Sequence, residues 1–225
     1  MFDPSLLGRM AFTHAVPSAA PLPPGRHRLG IDDERDTVLF VPDGLDAGVP
    51  VPLMIMFHGA GGFPGKVLPF IEPRAAQHKF LVLAPHSMFP TWDIVIGGNG
   101  PDLQRLHQAL AAVTSRYHIR RDQLAFAGFS DGASYALSIG ITNGDIASHV
   151  IAFSGGFMSV FMQEGMPKVF IAHGLADEQL PIQTSGRNNA MRLRAAGYDV
   201  EYVEFDGPHA IQPDIVDLAI RFFLA

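Results

Sequence analysis

The chain has 225 residues, 48% of them hydrophobic and 17% charged, so it can bury a sizeable core in one large domain and is not disordered overall. Its formal net charge of −6, with no basic stripe interleaved with aromatics, argues against a nucleic-acid partner. The absence of cysteine excludes a disulfide framework, a thiolate metal site and a cysteine nucleophile.

In chain order, residues 1–25 carry Pro17, Pro21, Pro23 and Pro24 among alanines with no sustained periodicity, which predicts an irregular N-terminal arm. Met1 to Met10 lacks a basic region followed by an apolar core, so no signal peptide is expected. No apolar run approaches the ~18 residues of a membrane span, and a cytoplasmic location fits. His27–Gly30 and Asp36–Pro42 read as two antiparallel strands joined through the charged Asp32–Arg35 turn, and Asp43–Pro50 as a loop. Apolar, β-rich runs then recur at Pro52–Phe57, Phe80–Ala84, Gln123–Ala127, His149–Phe153, Lys168–Ala172 and Val200–Phe205. Between and after them lie helical patterns. Leu103, Leu106, Leu110 and Val113 share a face of a helix over about Asp102–Tyr117, and Ala133–Ile139 reads as a buried helix. Met191, Leu193 and Ala195 mark another, and Ile215, Leu218, Ala219 and Phe222 the last. Continuous Val/Ile/Leu/Phe strands alternating with helices predict one α/β domain over 26–225, with a mostly parallel central sheet covered by helices on both faces.

In such a sheet chemistry collects at the carboxyl ends of the strands, and this chain places unusual polar residues there four times. His58-Gly59-Ala60-Gly61-Gly62 follows the first central strand and Gly128-Phe129-Ser130-Asp131-Gly132 the third. His173-Gly174-Leu175-Ala176-Asp177-Glu178 and Asp206-Gly207-Pro208-His209 follow the last two. The second stretch is a G-x-S-x-G between a strand and a helix, the setting of a nucleophile elbow. The turn is sharp enough that side chains two residues either side of the serine would collide, and glycine at 128 and 132 removes them. A serine hydroxyl needs an imidazole to take its proton, and His209 lies on a loop that can reach Ser130. Asp177, from the neighbouring strand end, can hold that imidazole in the right tautomer. Glu178, Asp206 and Asp145 are rival acids. The backbone N–H groups of Asp131 and Ala60 are the expected oxyanion donors, with the Asp131 side chain turned to the cleft or to a neighbouring loop. His58 and His173 are expected to bond loop backbone.

Taken together, the four motifs resemble the phospholipase/carboxylesterase group of α/β-hydrolases, close to the dienelactone hydrolases, over about Val38–Ala225. The resemblance implies an α/β-hydrolase fold, with Ser130 as nucleophile, Asp177 as acid, His209 as base, and Ala60 with Asp131 as oxyanion donors. Two departures stand out. Dienelactone hydrolases use a cysteine nucleophile, which this chain lacks, and Gly207-Pro208-His209 puts a rigid proline where that group usually has Gly-Gly-His or Gly-His.

For substrate, a glycine-rich loop holding the sole tryptophan, Trp92, reads either as a wall of the pocket or as a plug against the core. Gly61, Phe63 and Phe157 are further candidates for substrate contact. The stretch Phe157–Met166 is short for a cap, so no large cap domain is expected and the pocket should suit small or medium esters. The expected activity is cofactor-free, metal-free hydrolysis of carboxylic esters through an acyl-enzyme on Ser130. A thioesterase or lysophospholipase would use the same residues, and a non-catalytic relative binding a ligand in the same cleft is the alternative from another class. The expected partner is a small-molecule ester, with a homodimer left open.

Overall fold

The computed structural model describes residues 7–12, 16–98 and 100–225. Eight strands form one sheet in the order β1-β2-β4-β3-β5-β6-β7-β8. The first two, β1 (Gly25–Arg28) and β2 (Val38–Val41), are the antiparallel pair the sequence predicts, with Gly25 opposite Val41. Between them the Asp36 carboxylate accepts the N–H groups of Gly30, Ile31 and Thr37, so one buried acid closes the turn. β2 also runs antiparallel to β4 (Leu81–Ala84). From there β3 (Val51–Phe57), β5 (Ile119–Phe129), β6 (His149–Phe153), β7 (Lys168–Gly174) and β8 (Val200–Phe205) continue the sheet in parallel.

The period of two along each strand divides the core. Met54, Met56, Val82, Ala127 and Phe170 face α1 (Pro64–His78) and α5 (Pro213–Leu224). Leu53, Ile55, Phe57 and Phe126 face α2 (Pro101–Thr114) and part of α3 (Asp131–Thr142). The rest of α3 and α4 (Gly186–Ala195) cover Val150, Ala152, Val169 and Ile171 on that same side. Both faces are therefore buried, as the unbroken apolar strands require.

α1 is the element the sequence did not disclose. Pro69 and Pro73 lie inside it and each removes a helical N–H, which argues against a helix when the segment is read alone. Pro64 begins it, where a missing N–H costs nothing, and Val67, Leu68, Ile71 and Ala75 form an i, i+1, i+4, i+8 stripe buried on the sheet. Burial of that stripe, at roughly 1.5–3 kcal/mol per large side chain, outweighs the two lost bonds. Lys79, at φ 58, ends the helix and donates its N–H to Ala75 O.

Where the arm is described, backbone bonds tie it to the body. Ser18 and Ala19 donate to Ser115 O, Leu22 donates to the Tyr117 hydroxyl, and Met10 donates to the Asn143 side chain. No described helix is long and apolar enough to cross a membrane.

Candidate active site

At the carboxyl end of β5 the chain turns into α3 within one residue, Ser130, which sits at φ 56 and ψ −121. A non-glycine residue there costs about 1–3 kcal/mol, sustained only where the surroundings force it. Both glycines of the motif show how tight those surroundings are. A Cβ on Gly128 would lie 2.1 Å from Gly132 O, and a Cβ on Gly132 would lie 2.3 Å from Phe57 O at the end of β3. The Ser130 N–H is anchored on Phe153 O at the end of β6. The hydroxyl is thus held, half-exposed, at the N-terminus of α3, where the helix dipole favours negative charge.

Two loops meet it. Gly174 ends β7, and a Cβ there would strike Gly207 O at 2.5 Å, so glycine lets the β8–α5 loop cross at contact distance. Ala176 N–H donates to Gly207 O and Leu175 N–H to Phe205 O, joining the two loops backbone to backbone. The result is a continuous chain of side chains: His209 Nε2 is 2.9 Å from Ser130 Oγ, and His209 Nδ1 is 2.7 Å from Asp177 Oδ2. A carboxylate is acceptor only, so Nδ1 carries the proton it shares with Asp177, and bare Nε2 accepts from the serine hydroxyl. Asp177 Oδ1 meanwhile accepts the N–H groups of Gln179 and Leu180. Burial alone would push this acid up, but the Leu180 N–H and His209 together hold it below the ordinary carboxylate value. The His209 ring also leans on Phe129, 4.9 Å between centroids.

The rival acids fall away on geometry. Glu178 and Asp206 are exposed, and Asp145 pairs with Arg9 in a salt bridge of 2.7 Å. His58 is fully buried, donates from Nδ1 to Gly59 O and accepts the Ser87 N–H on Nε2; burial pushes it down to about 4, so it stays neutral. His173 bonds Leu180 O, as a loop-bonding histidine should.

After β3, Gly61 N–H turns to Pro90 O and Gly62 N–H folds back on Gly59 O, with Gly61 at φ 65. Just before them, the N–H of Ala60 has no protein acceptor among the described residues, and neither has that of Asp131. The Asp131 carboxylate faces away to the β4–α2 loop, where Thr91 Oγ1 donates to it at 2.6 Å. Beside His209 lies an open groove of about 410 Å³, walled by Gly59–Gly62, by Val67 and Phe70 of α1, and by Phe129 and Ile211. Gly61 is in that wall. Phe63 and Phe157, 46% and 37% exposed, are not; they stand on the surrounding surface.

Trp92 is not a pocket wall, contrary to its place among the substrate-contact candidates. It is 1% exposed, donates from Nε1 to His58 O, and stacks on Tyr135 at 4.8 Å with Phe57 edge-on. A ring with an N–H partner and three ring neighbours, Tyr135, Phe57 and His58, gains more from the core than from a solvated rim. What the sequence missed is the α1 wall of the groove, because the helix itself was hidden by its prolines. Among the described residues, no group of three His, Asp or Glu side chains is placed to hold a metal ion.

The sequence pattern of the phospholipase/carboxylesterase family matches residues 102–224, which takes in the segments of Ser130, Asp177 and His209 but not the Ala60 loop. No curated protein sequence matches the chain. Among solved structures it is similar to a phospholipase/carboxylesterase from Dyadobacter fermentans, at 22% identity and a TM-score of 0.66, covering 85% of this chain and 97% of that one. It is similar also to S-formylglutathione hydrolase of Staphylococcus aureus, at 15% identity and 0.69, covering 85% and 93%. A third is esterase 2 of Thermogutta terrifontis, seen phosphorylated by paraoxon, at 17% and 0.66, covering 88% and 92%. At these identities the likeness is one of fold, the α/β-hydrolase fold.

Proposed function

The chain belongs to the phospholipase/carboxylesterase family, and from that premise we propose that it is a serine esterase in which Ser130, His209 and Asp177 hydrolyse small to medium carboxylic esters. The observation that carries the reading is His209 bonded at once to Ser130 Oγ at 2.9 Å and to Asp177 Oδ2 at 2.7 Å, with the serine strained at a strand–helix junction.

The mechanism follows from those positions. His209 Nε2 takes the Ser130 proton as Oγ attacks the ester carbonyl, and the tetrahedral oxyanion rests on the N–H groups of Ala60 and Asp131. Asp177 stabilises the imidazolium without itself becoming protonated. Collapse of the intermediate breaks the bond to the alkoxide, which leaves with the proton from His209 Nε2, and Ser130 keeps the acyl group. Water, deprotonated by the same nitrogen, then attacks the acyl carbon and releases the acid. Substrate size is read from the groove beside His209, about 410 Å³ and open, and from the absence of any cap among the described residues.

The test is a panel of p-nitrophenyl esters of rising acyl length with one thioester, run on the wild type and on Ser130→Ala. Acetate to hexanoate esters should turn over and long-chain esters lag. The alanine variant should lose on the order of 10⁴-fold or more with its fold intact. Residual hydrolysis within tenfold of wild type would remove Ser130 from the reaction.

A further inference from the structure

Asp177 has a second histidine. His173, the last polar side chain on β7, is wholly buried, and its Nε2 lies 3.1 Å from Asp177 Oδ2, the same oxygen that holds His209. That nitrogen is also 2.8 Å from Leu180 O. Both neighbours are acceptors, so Nε2 must carry the ring proton; it donates to Leu180 O, with Asp177 Oδ2 close beside it, while Nδ1 is left bare and buried without a partner. An unpaired buried nitrogen costs free energy. A Cβ on Gly186, the first residue of α4, would sit 2.8 Å from His173 Cβ, so α4 packs directly on this side chain and holds the ring in place.

We propose that His173 is a positioning residue of the esterase reaction, which holds the Asp177 carboxylate in the orientation that serves His209. This inference rests on the triad as read above. Asp177 accepts three hydrogen bonds, from Gln179 and Leu180 N–H on Oδ1 and from His209 on Oδ2, and the polarised Nε2–H of His173 lies against that same Oδ2 at 3.1 Å. Leu180 closes the arrangement from both ends, since its N–H donates to Asp177 and its C=O accepts from His173. A carboxylate held in this way cannot rotate about its last torsion without breaking three bonds and losing the His173 contact. Part of its charge is also spent on His173, which limits how strongly it can bind the imidazolium of His209. The other charged groups that face this cluster are Glu204 on β8, bonded to Arg187 of α4, and His209 itself.

The experiment compares wild type, His173→Phe and His173→Gln. Phenylalanine keeps a flat ring and removes the donor, whereas glutamine returns an N–H near the position of Nε2. For His173→Phe, kcat should fall about 10-fold, the low end of the range for an N–H paired with a charged group, with KM unchanged. The acid limb of its pH–rate profile should move upward, because Asp177 now gives its full charge to His209. His173→Gln should recover most of the rate and the limb. Equal losses in both variants with an unmoved limb would mean that His173 only packs, and the proposal would fall. Should the phenylalanine variant not fold, ring ¹⁵N shifts of wild-type His173 decide: the Nε2–H tautomer is required, and the Nδ1–H tautomer overturns the proposal. Throughout, Ser130→Ala serves as the reference, since its retained activity would instead indict the triad.

Discussion

Ser130 occupies a backbone conformation it would not choose, and the neighbours that force it there are countable. Gly128, Gly132 and the end of β3 meet at distances that leave no room for one methyl group. Gly132→Ala should therefore push α3 away from Phe57 O and disturb both the serine and the loop carrying Ala60. We expect a loss of at least about 2 kcal/mol in stability, with activity lost in step, measured by urea denaturation beside ester hydrolysis. The same scale decides the acid. Replacing the orienting carboxylate by an amide favours the wrong imidazole tautomer, at a cost of about 10⁴ in rate in the known serine-protease case. Asp177→Asn should lose several orders of magnitude in kcat, while Glu178→Gln and Asp206→Asn, both exposed, lose less than about tenfold. A crippled Asp206→Asn beside a mild Asp177→Asn would reassign the acid. These residues were legible in the sequence because what places them is local: a glycine two positions either side of a serine, or one after a strand-end histidine, states a steric demand within five residues.

Elements carry information that a short motif does not. The β4–α2 loop is latched by two buried acids. Asp102 accepts the N–H groups of Met88 and Asp93, and Asp93 accepts those of Gly100 and Asp102. Burial, and then the charge of Asp102, push Asp93 up to about 6 from an ordinary 3.8. A folded-state value above the unfolded one means that the folded protein holds this proton more tightly. The stabilisation is full below about pH 4 and is lost as pH rises to about 6. Asp93→Asn keeps an acceptor for both N–H groups and removes the titration. Between pH 4 and pH 7 the variant should therefore gain about 2–3 kcal/mol on the wild type in urea unfolding; parallel stability curves would refute the assignment. On the same loop Trp92 is a plug, so Trp92→Phe should cost about 1–2 kcal/mol through its lost bond to His58 O, with KM for short esters unchanged. A shifted KM at unchanged stability would return Trp92 to the pocket. The latch could not be read from the chain, and the plug was only one of two readings of Trp92, since each depends on what α2 and α3 pack against. α1 failed for the same reason, its prolines being visible and the sheet that overrides them not.

At the scale of the whole molecule, six parallel strands bring residues from distant parts of the chain to one edge of the sheet, which the alternation of apolar strands and helices foretold. Of the groove only the Gly59–Gly62 loop was foretold, because the rest of its wall is assembled from α1, the residue before Ser130 and the residues after His209. The pH–rate profile is a property of this assembly: activity should fall on the acid side, because a protonated His209 cannot take the serine proton. A flat profile down to pH 5 would point to another base. The most direct test is covalent. Incubated with an excess of a fluorophosphonate, the protein should take up one phosphonyl group per chain, mapped by mass spectrometry to Ser130, and lose ester hydrolysis in proportion. Full hydrolysis with Ser130 unlabelled, or labelling at another residue that tracks the loss, would contradict the assignment of Ser130 as the nucleophile.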